Sequence, residues 1–153
     1  QNDGQYIRII QAIGFTTLRT KWIKVQQIKN TSKINEEYKA DGRIHFALNC
    51  GAKSCPYIAV YDAIYMDEQL DEIAHQFLNR TSTYEPENEE VYVTSLFSWF
   101  RGDFGGKSGI RDYLRKYEVI PQEADPSLSF ETYDWTLELG NYTDLSAGKT
   151  VSK

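Results

Sequence analysis

Two thiols and an imidazole fall close together in this chain: His45, Cys50 and Cys55. A cysteine becomes a nucleophile when a nearby imidazolium or a helix N-terminus lowers its pKa. The segment 44–48 is a compact apolar run, which predicts a strand. On a strand, Arg43, His45, Ala47 and Asn49 share one face, and Ile44, Phe46, Leu48 and Cys50 share the other. His45 and Cys50 then point apart unless the turn at Gly51 brings the thiol back. Cys55 has more freedom to return to His45, with Pro56 holding it extended. The competing reading is structural. A histidine and a cysteine in an apolar strand are more often core residues, the histidine satisfied by a backbone carbonyl. Both readings stay open.

The two cysteines are too few for a disulfide scaffold, although they are close enough to bridge. Zinc is poorly served. C-x4-C has no matched H-x3-H partner, and the second histidine, His75, stands beside Asp71 and Glu72 on a separate helix. No metal and no cofactor is expected. Gly105-Gly106 lacks the Lys-Ser/Thr spacing of a phosphate loop.

The elements that must position these groups follow from periodicity. Residues 67–79 carry Leu70, Ile73, Ala74, Phe77 and Leu78 at helical spacing, with Asp67 as N-cap. Trp22, Ile23, Val25 and Ile28 alternate with polar residues as a half-buried strand, and Thr31 or Ser32 caps a short helix after it. Residues 81–90 read as a solvated acidic loop, and Val91, Tyr92 and Val93 as a short strand. Ser95 caps a brief helix, and Ser108 caps another with Ile110, Leu114 and Tyr117 inward. Residues 129–139 form a last strand. Few strands among unequal helices predict an α+β fold: a central, mostly antiparallel sheet built from the His45, Val91 and Tyr133 strands, with helices packed on it. One domain is expected over residues 1–143, followed by a polar tail over residues 144–153.

Composition sets outer bounds. The chain has 153 residues, 17 Lys+Arg against 22 Asp+Glu, and a formal net charge of −5. That acidic balance argues against nucleic acid or an anionic membrane as partner. A 41% hydrophobic and 14% aromatic content is too rich for a disordered chain. The longest apolar stretch, residues 57–66, is interrupted by Asp62 and is too short to span a bilayer. A start at Gln1 without a signal-like segment reads as a processed or trimmed piece. The sequons at Asn30, Asn79 and Asn141 are too short a pattern to assign a compartment.

The stretch RIHFALNCGAKSCP at residues 43–56 closely resembles the signature of the family called domain of unknown function 547. SLFSWF at residues 95–100, DFGG at residues 103–106 and YDWTL at residues 133–137 are similar to further motifs of that family, in the right order. The resemblance is good over residues 41–139 and weak over residues 5–40. The aromatic-rich opening segment of the family is not matched. The family occurs in plant proteins behind a leucine-zipper region, which implies protein partners, and in bacterial proteins that are often exported, which implies an extracytoplasmic site for a bacterial chain. No reaction is assigned to it.

Asp103 and Asp134 both stand in those motifs, and either can orient the imidazole. A Cys-His-Asp site would then draw on Cys55 or Cys50, His45, and Asp103 or Asp134, with Asn49 as oxyanion donor. Gly51 would let a ligand approach the backbone, and Arg43, Asn49 and Ser54 would line the binding side. Arg43 is otherwise expected in a buried ion pair with Asp103 or Asp134, and Trp99, Phe100, Phe104, Tyr133 and Trp135 either line a cleft or, as is commoner at these spacings, belong to the core. Two functions follow. One is a cysteine-dependent hydrolase or acyl-transferase in which the histidine precedes the thiols. The alternative is a non-catalytic protein-interaction module. The substrate or partner is unknown.

Overall fold

The computed structural model describes residues 41–146. The expected strand at residues 22–28, the cap at Thr31 or Ser32 and the tail beyond residue 146 lie outside the described residues. The architecture is α+β: helices packed on a three-stranded mixed sheet.

The apolar run around His45 is not a strand. Gly42–Phe46 is a 3₁₀ helix. The reason lies one residue upstream. The Asp41 carboxylate accepts from the Arg43 amide at 3.0 Å, while the Ile44 amide donates to the Asp41 carbonyl at 3.2 Å. A capping aspartate offers the backbone a local alternative to a ladder. An apolar run this short cannot by itself choose between the two forms. The tight turn points Phe46 into the core, where it meets Phe77, Phe97 and Phe104 at ring separations of 5.5, 5.6 and 5.5 Å.

Helix α1 spans Met66–Thr81 and buries the predicted stripe of Leu70, Ile73, Ala74, Phe77 and Leu78. Asp67 is not its N-cap. The cap position is Tyr65, which has no capping side chain, and Asp67 and Glu68 sit in the first turn, where carboxylates favour the positive end of the dipole. Residues 81–90 are not simply a loop. They hold β1 (Thr83–Glu85), which turns through a 3₁₀ segment, Pro86–Asn88, and Glu89 at φ 49° into β2 (Glu90–Val93). β1 and β2 pair antiparallel, with Thr83 opposite Tyr92 and Glu85 opposite Glu90. Val91 and Val93 face the core and are fully buried, as the alternation predicts.

Helix α2 (Leu96–Trp99) and helix α3 (Gly106–Lys116) carry the chain over to β3 (Ser127–Phe130), which pairs parallel with β2. The sheet is therefore mixed, one antiparallel and one parallel pair. Ser95 occupies the cap position of α2, but its hydroxyl bonds the Glu131 carbonyl, and Thr94 Oγ1 accepts from the Leu96 amide instead. Gly105, not Ser108, caps α3, and its φ of 77° is a left-handed conformation that glycine adopts without strain.

The last predicted strand is displaced. β3 ends at Phe130, and residues 133–139 run instead as an extended arm against the C-x4-C loop. The Lys53 amide donates to Thr136 O at 2.8 Å, the Ser54 amide to Asp134 O at 3.2 Å and the Glu138 amide to Gly51 O at 2.8 Å. Tyr133 thus belongs to the loop's support and not to the sheet.

Two glycines near Phe104 give opposite expectations. A Cβ on Gly109 would lie 1.9 Å from the Phe104 carbonyl oxygen, whereas one on Gly102 meets nothing within 4 Å. Gly109→Ala should therefore cost roughly 1–3 kcal/mol or more by overpacking. Gly102→Ala should stay within about 0.5 kcal/mol. Urea denaturation of both variants checks the contrast, and equal midpoints would refute it.

Candidate functional site

His45 leaves the 3₁₀ helix into a buried slot between aromatic rings. It stacks on Phe100 with centroids 3.9 Å apart and planes 13° off parallel, and Phe104 flanks it at 5.5 Å. Its Nε2 meets Asp103 Oδ2 at 2.9 Å. Asp103 is held in the turn after α2, where its amide donates to the Phe100 carbonyl at 2.9 Å and the Gly106 amide returns to Arg101 O. The side chains of His45 and Asp103 are 5% and 12% exposed. Burial lowers the imidazole pKa below its ordinary value, and the Asp103 carboxylate opposes this only in part. The neutral ring is the favoured form.

The thiols form a second group. The Cys50 and Cys55 sulfurs are in contact at 2.7 Å, both as free thiols. Gly51, at φ 86°, makes the sharp turn that the loop needs. Asn49 ties both ends of the loop: its Oδ1 accepts from the Gly51 amide at 2.6 Å, and its Nδ2 donates to Pro56 O at 2.5 Å. With its amide engaged in this way, Asn49 serves the loop. Cys55 is buried, and its sulfur accepts from the Cys50 amide at 3.1 Å and from the Tyr133 hydroxyl at 3.2 Å. Its carbonyl accepts from Arg80 at 2.9 Å and from Asn141 at 3.2 Å.

Ionisation separates the two cysteines. Burial resists charge on Cys55, but hydrogen bonds from Cys50, Tyr133 and the Cys50 and Ala52 amides outweigh it and bring the thiol below its ordinary value. Burial and the neighbouring Cys55 push Cys50 up. Cys50 is the exposed member. Burial and the bond to Cys55 also raise the Tyr133 hydroxyl, which keeps it a donor.

The predicted residues thus fall into separate sets. His45 and Asp103 come together. Cys50, Cys55, Gly51 and Asn49 come together, and Tyr133 joins them. Among the described residues, the hydrogen-bond partner of the imidazole is Asp103. Asp134 holds the loop from outside, with its amide donating to Ser54 Oγ at 2.9 Å and its carboxylate 3.6 Å from Lys53. Arg43 does not pair with Asp103 or Asp134. It meets Asp41 at 2.7 Å and Asp71 at 2.9 Å, and also Asp67. Beside it lies a cleft of about 650 Å³ lined by Arg43, Asp67, Asp71, Ser108 and Lys116.

The aromatic prediction also divides. Phe104 is core and Phe100 covers His45, but Trp99 and Trp135 stand 49% and 66% exposed. Tyr133 and Asn141 were not singled out from sequence as partners of Cys55. The signal available for Tyr133 was its place in YDWTL. Asn141 had no signal beyond its sequon, and it is buried in the fold. Among the described residues, no three or more His, Cys, Asp or Glu side chains gather as a metal ion would require, and no helix is long and apolar enough to cross a membrane.

The depressed imidazole gives a pH dependence of definite sign. Below the ordinary value of 6.5, the unfolded chain takes a proton on His45 before the folded chain does. Stability from this group is therefore complete above pH 6.5 and declines as the pH falls through it. His45→Gln should flatten that part of the profile. At neutral pH it should cost roughly 1–3 kcal/mol, as for a lost buried hydrogen bond. Urea melts at pH 7.5 and 5.5 on both proteins test this; parallel acid losses would refute it.

Residues 4–78 match the family described as "Protein of unknown function, DUF547". The matched span takes in residues 5–40, where the sequence resemblance is weak, together with the C-x4-C loop and most of α1. The motifs at residues 95–106 and 133–137 fall beyond it. No curated protein and no solved structure is matched. The buried histidine, the paired thiols and the loop that carries them thus stand in a chain that resembles the DUF547 family of proteins of unknown function.

Proposed function

We propose that this domain is a non-catalytic protein-interaction module that docks an apolar polypeptide segment on the arm at residues 133–139. The observation that carries the reading is an exposed apolar strip. Trp135, Leu137 and Leu139 recur at every second position of the arm and are 66%, 71% and 64% exposed. Trp99 extends the strip, its ring stacked on Trp135 at 5.8 Å. Side chains at alternate positions of an extended segment share a face. Contiguous exposed apolar surface of this kind marks interaction sites, and tryptophan is enriched among residues that dominate binding. The strip has a firm backing: the arm is hydrogen-bonded to the C-x4-C loop, and Tyr133 packs on both tryptophans at 4.9 and 4.6 Å. Lys53, Asp134 and Glu138 supply a polar rim.

A cysteine-dependent hydrolase or acyl-transferase is the second reading. The His45–Asp103 bond and the lowered Cys55 thiol favour it. Burial of Cys55 at 1% exposure opposes it, because an acyl carbon must reach the sulfur.

Selection of random peptides on the full chain, followed by titration calorimetry, tests the first reading. Recovered peptides should carry spaced aliphatic or aromatic anchors. Trp135→Ala should weaken them at least about tenfold, as expected when an anchor residue is truncated, with the circular dichroism spectrum unchanged. No enrichment, or binding indifferent to Trp135, overturns it. Alkylation separates the second reading. A catalytic thiol should react with iodoacetamide below pH 7 and lose that reactivity in His45→Ala, whereas the interaction module should show no dependence on His45.

A further inference from the structure

We infer that Cys50 and Cys55 form a reversible dithiol–disulfide site, with a low-molecular-weight disulfide as its oxidant. Three geometric features support the assignment. The two sulfurs already touch, so a bond between them needs no travel of the backbone segments that carry them. The loop is closed independently of the thiols: Asn49 clasps Gly51 and Pro56, the Cys55 amide donates to Ala52 O at 3.0 Å, and the arm at residues 134–138 holds Gly51, Lys53 and Ser54 from outside. The pair is also unequal, with Cys50 at the surface and Cys55 beneath it.

That inequality assigns an order. Cys50 is the thiol that a dissolved disulfide RSSR can reach. Its thiolate attacks one sulfur of the oxidant, the R–S–S–R bond breaks, and one RS⁻ leaves with a proton as RSH. Cys55, which receives hydrogen bonds that suit a thiolate, then attacks the Cys50 sulfur of the mixed disulfide. The Sγ–Sγ bond between Cys50 and Cys55 forms, the Cys50 S–SR bond breaks, and the second RS⁻ departs as RSH with the proton given up by Cys55. Two protein thiols are oxidised and one disulfide is reduced to two thiols, so electrons and protons balance. The buried partner needs no access to solvent, because the mixed disulfide is delivered to it. Tyr133, which donates to the Cys55 sulfur, stabilises the attacking form and loses its anionic acceptor when the bond closes.

Incubation of the full native chain in buffers of graded oxidised and reduced glutathione, with acid quenching and peptide mass spectrometry, tests the site. The wild type should pass through a transient glutathione adduct on Cys50 to an internal Cys50–Cys55 bridge, and dithiothreitol should return both thiols. Cys55→Ser should stop at the adduct on Cys50. Cys50→Ser should leave Cys55 unmodified until denaturant is added. The wild-type time course stands without either variant. A lasting adduct with no bridge would overturn the inference, and so would two free thiols at a ratio that bridges the isolated peptide 49–56. A covalent dimer in place of the internal bridge would overturn it equally.

Discussion

The guanidinium of Arg43 is the contact on which the placement of everything else depends. It joins the capped turn at residues 41–46 to α1 through Asp67 and Asp71. Asp71 in turn accepts from Lys116 at 2.7 Å and from the Tyr117 hydroxyl at 2.6 Å, which brings in the end of α3. Burial pushes the Asp71 carboxyl up, but bonds from Lys116, Tyr117 and Arg43 pull it down further, to about 2. The Asp67 carboxylate is largely exposed, so its pairing adds no more than about 1 kcal/mol. Much of the stabilisation comes from what the network aligns. With residues 41–46 fixed, Phe46 enters the aromatic core, where burying such a ring is worth about 1.5–3 kcal/mol, and His45 enters its slot beside Asp103.

What the sequence revealed, and what it hid, follows from the range of each interaction. Helix α1 was legible because its five apolar residues keep helical spacing from Leu70 to Leu78, more than two turns, and β2 because Val91 and Val93 alternate with polar neighbours. The segment at His45 was misread because a short apolar run fits a strand or a turn, and the capping carboxylate of Asp41 decides the matter locally. Residues 81–90 looked like loop because their strand, β1, is polar, and its pairing partner lies across a turn. Residues 133–139 alternate like a strand, yet the sheet edge was taken by Ser127–Phe130, a competition that no local pattern records.

The site divided for the same reason. His45 and Asp103 were both named from sequence, and they meet because the segment that carries Asp103 stacks Phe100 on the imidazole and sets Phe104 at a tilt beside it. The thiols were named too, and they meet each other. A pattern of residue types identifies groups capable of chemistry, but tertiary packing decides which of them face each other. Here it gives each group a different neighbour, Asp103 for the imidazole and Tyr133 for the buried thiol. Arg43 was expected beside one of the motif aspartates and found three others, all nearer to it along the capped turn and the first turns of α1.

The parallel pairing of β2 with β3 carries a consequence for the order of assembly. Parallel neighbours cannot be joined by a tight turn, so the chain crosses from β2 to β3 through α2 and α3. Contacts this distant along the chain close late, after local ones have formed. The arm that clamps the C-x4-C loop follows β3 directly. During synthesis, which proceeds from the N-terminus, Cys50 and Cys55 therefore emerge long before Tyr133, which hydrogen-bonds the buried Cys55. In that interval the distinction between an exposed Cys50 and a buried Cys55 does not yet exist, because the fold that creates it is incomplete.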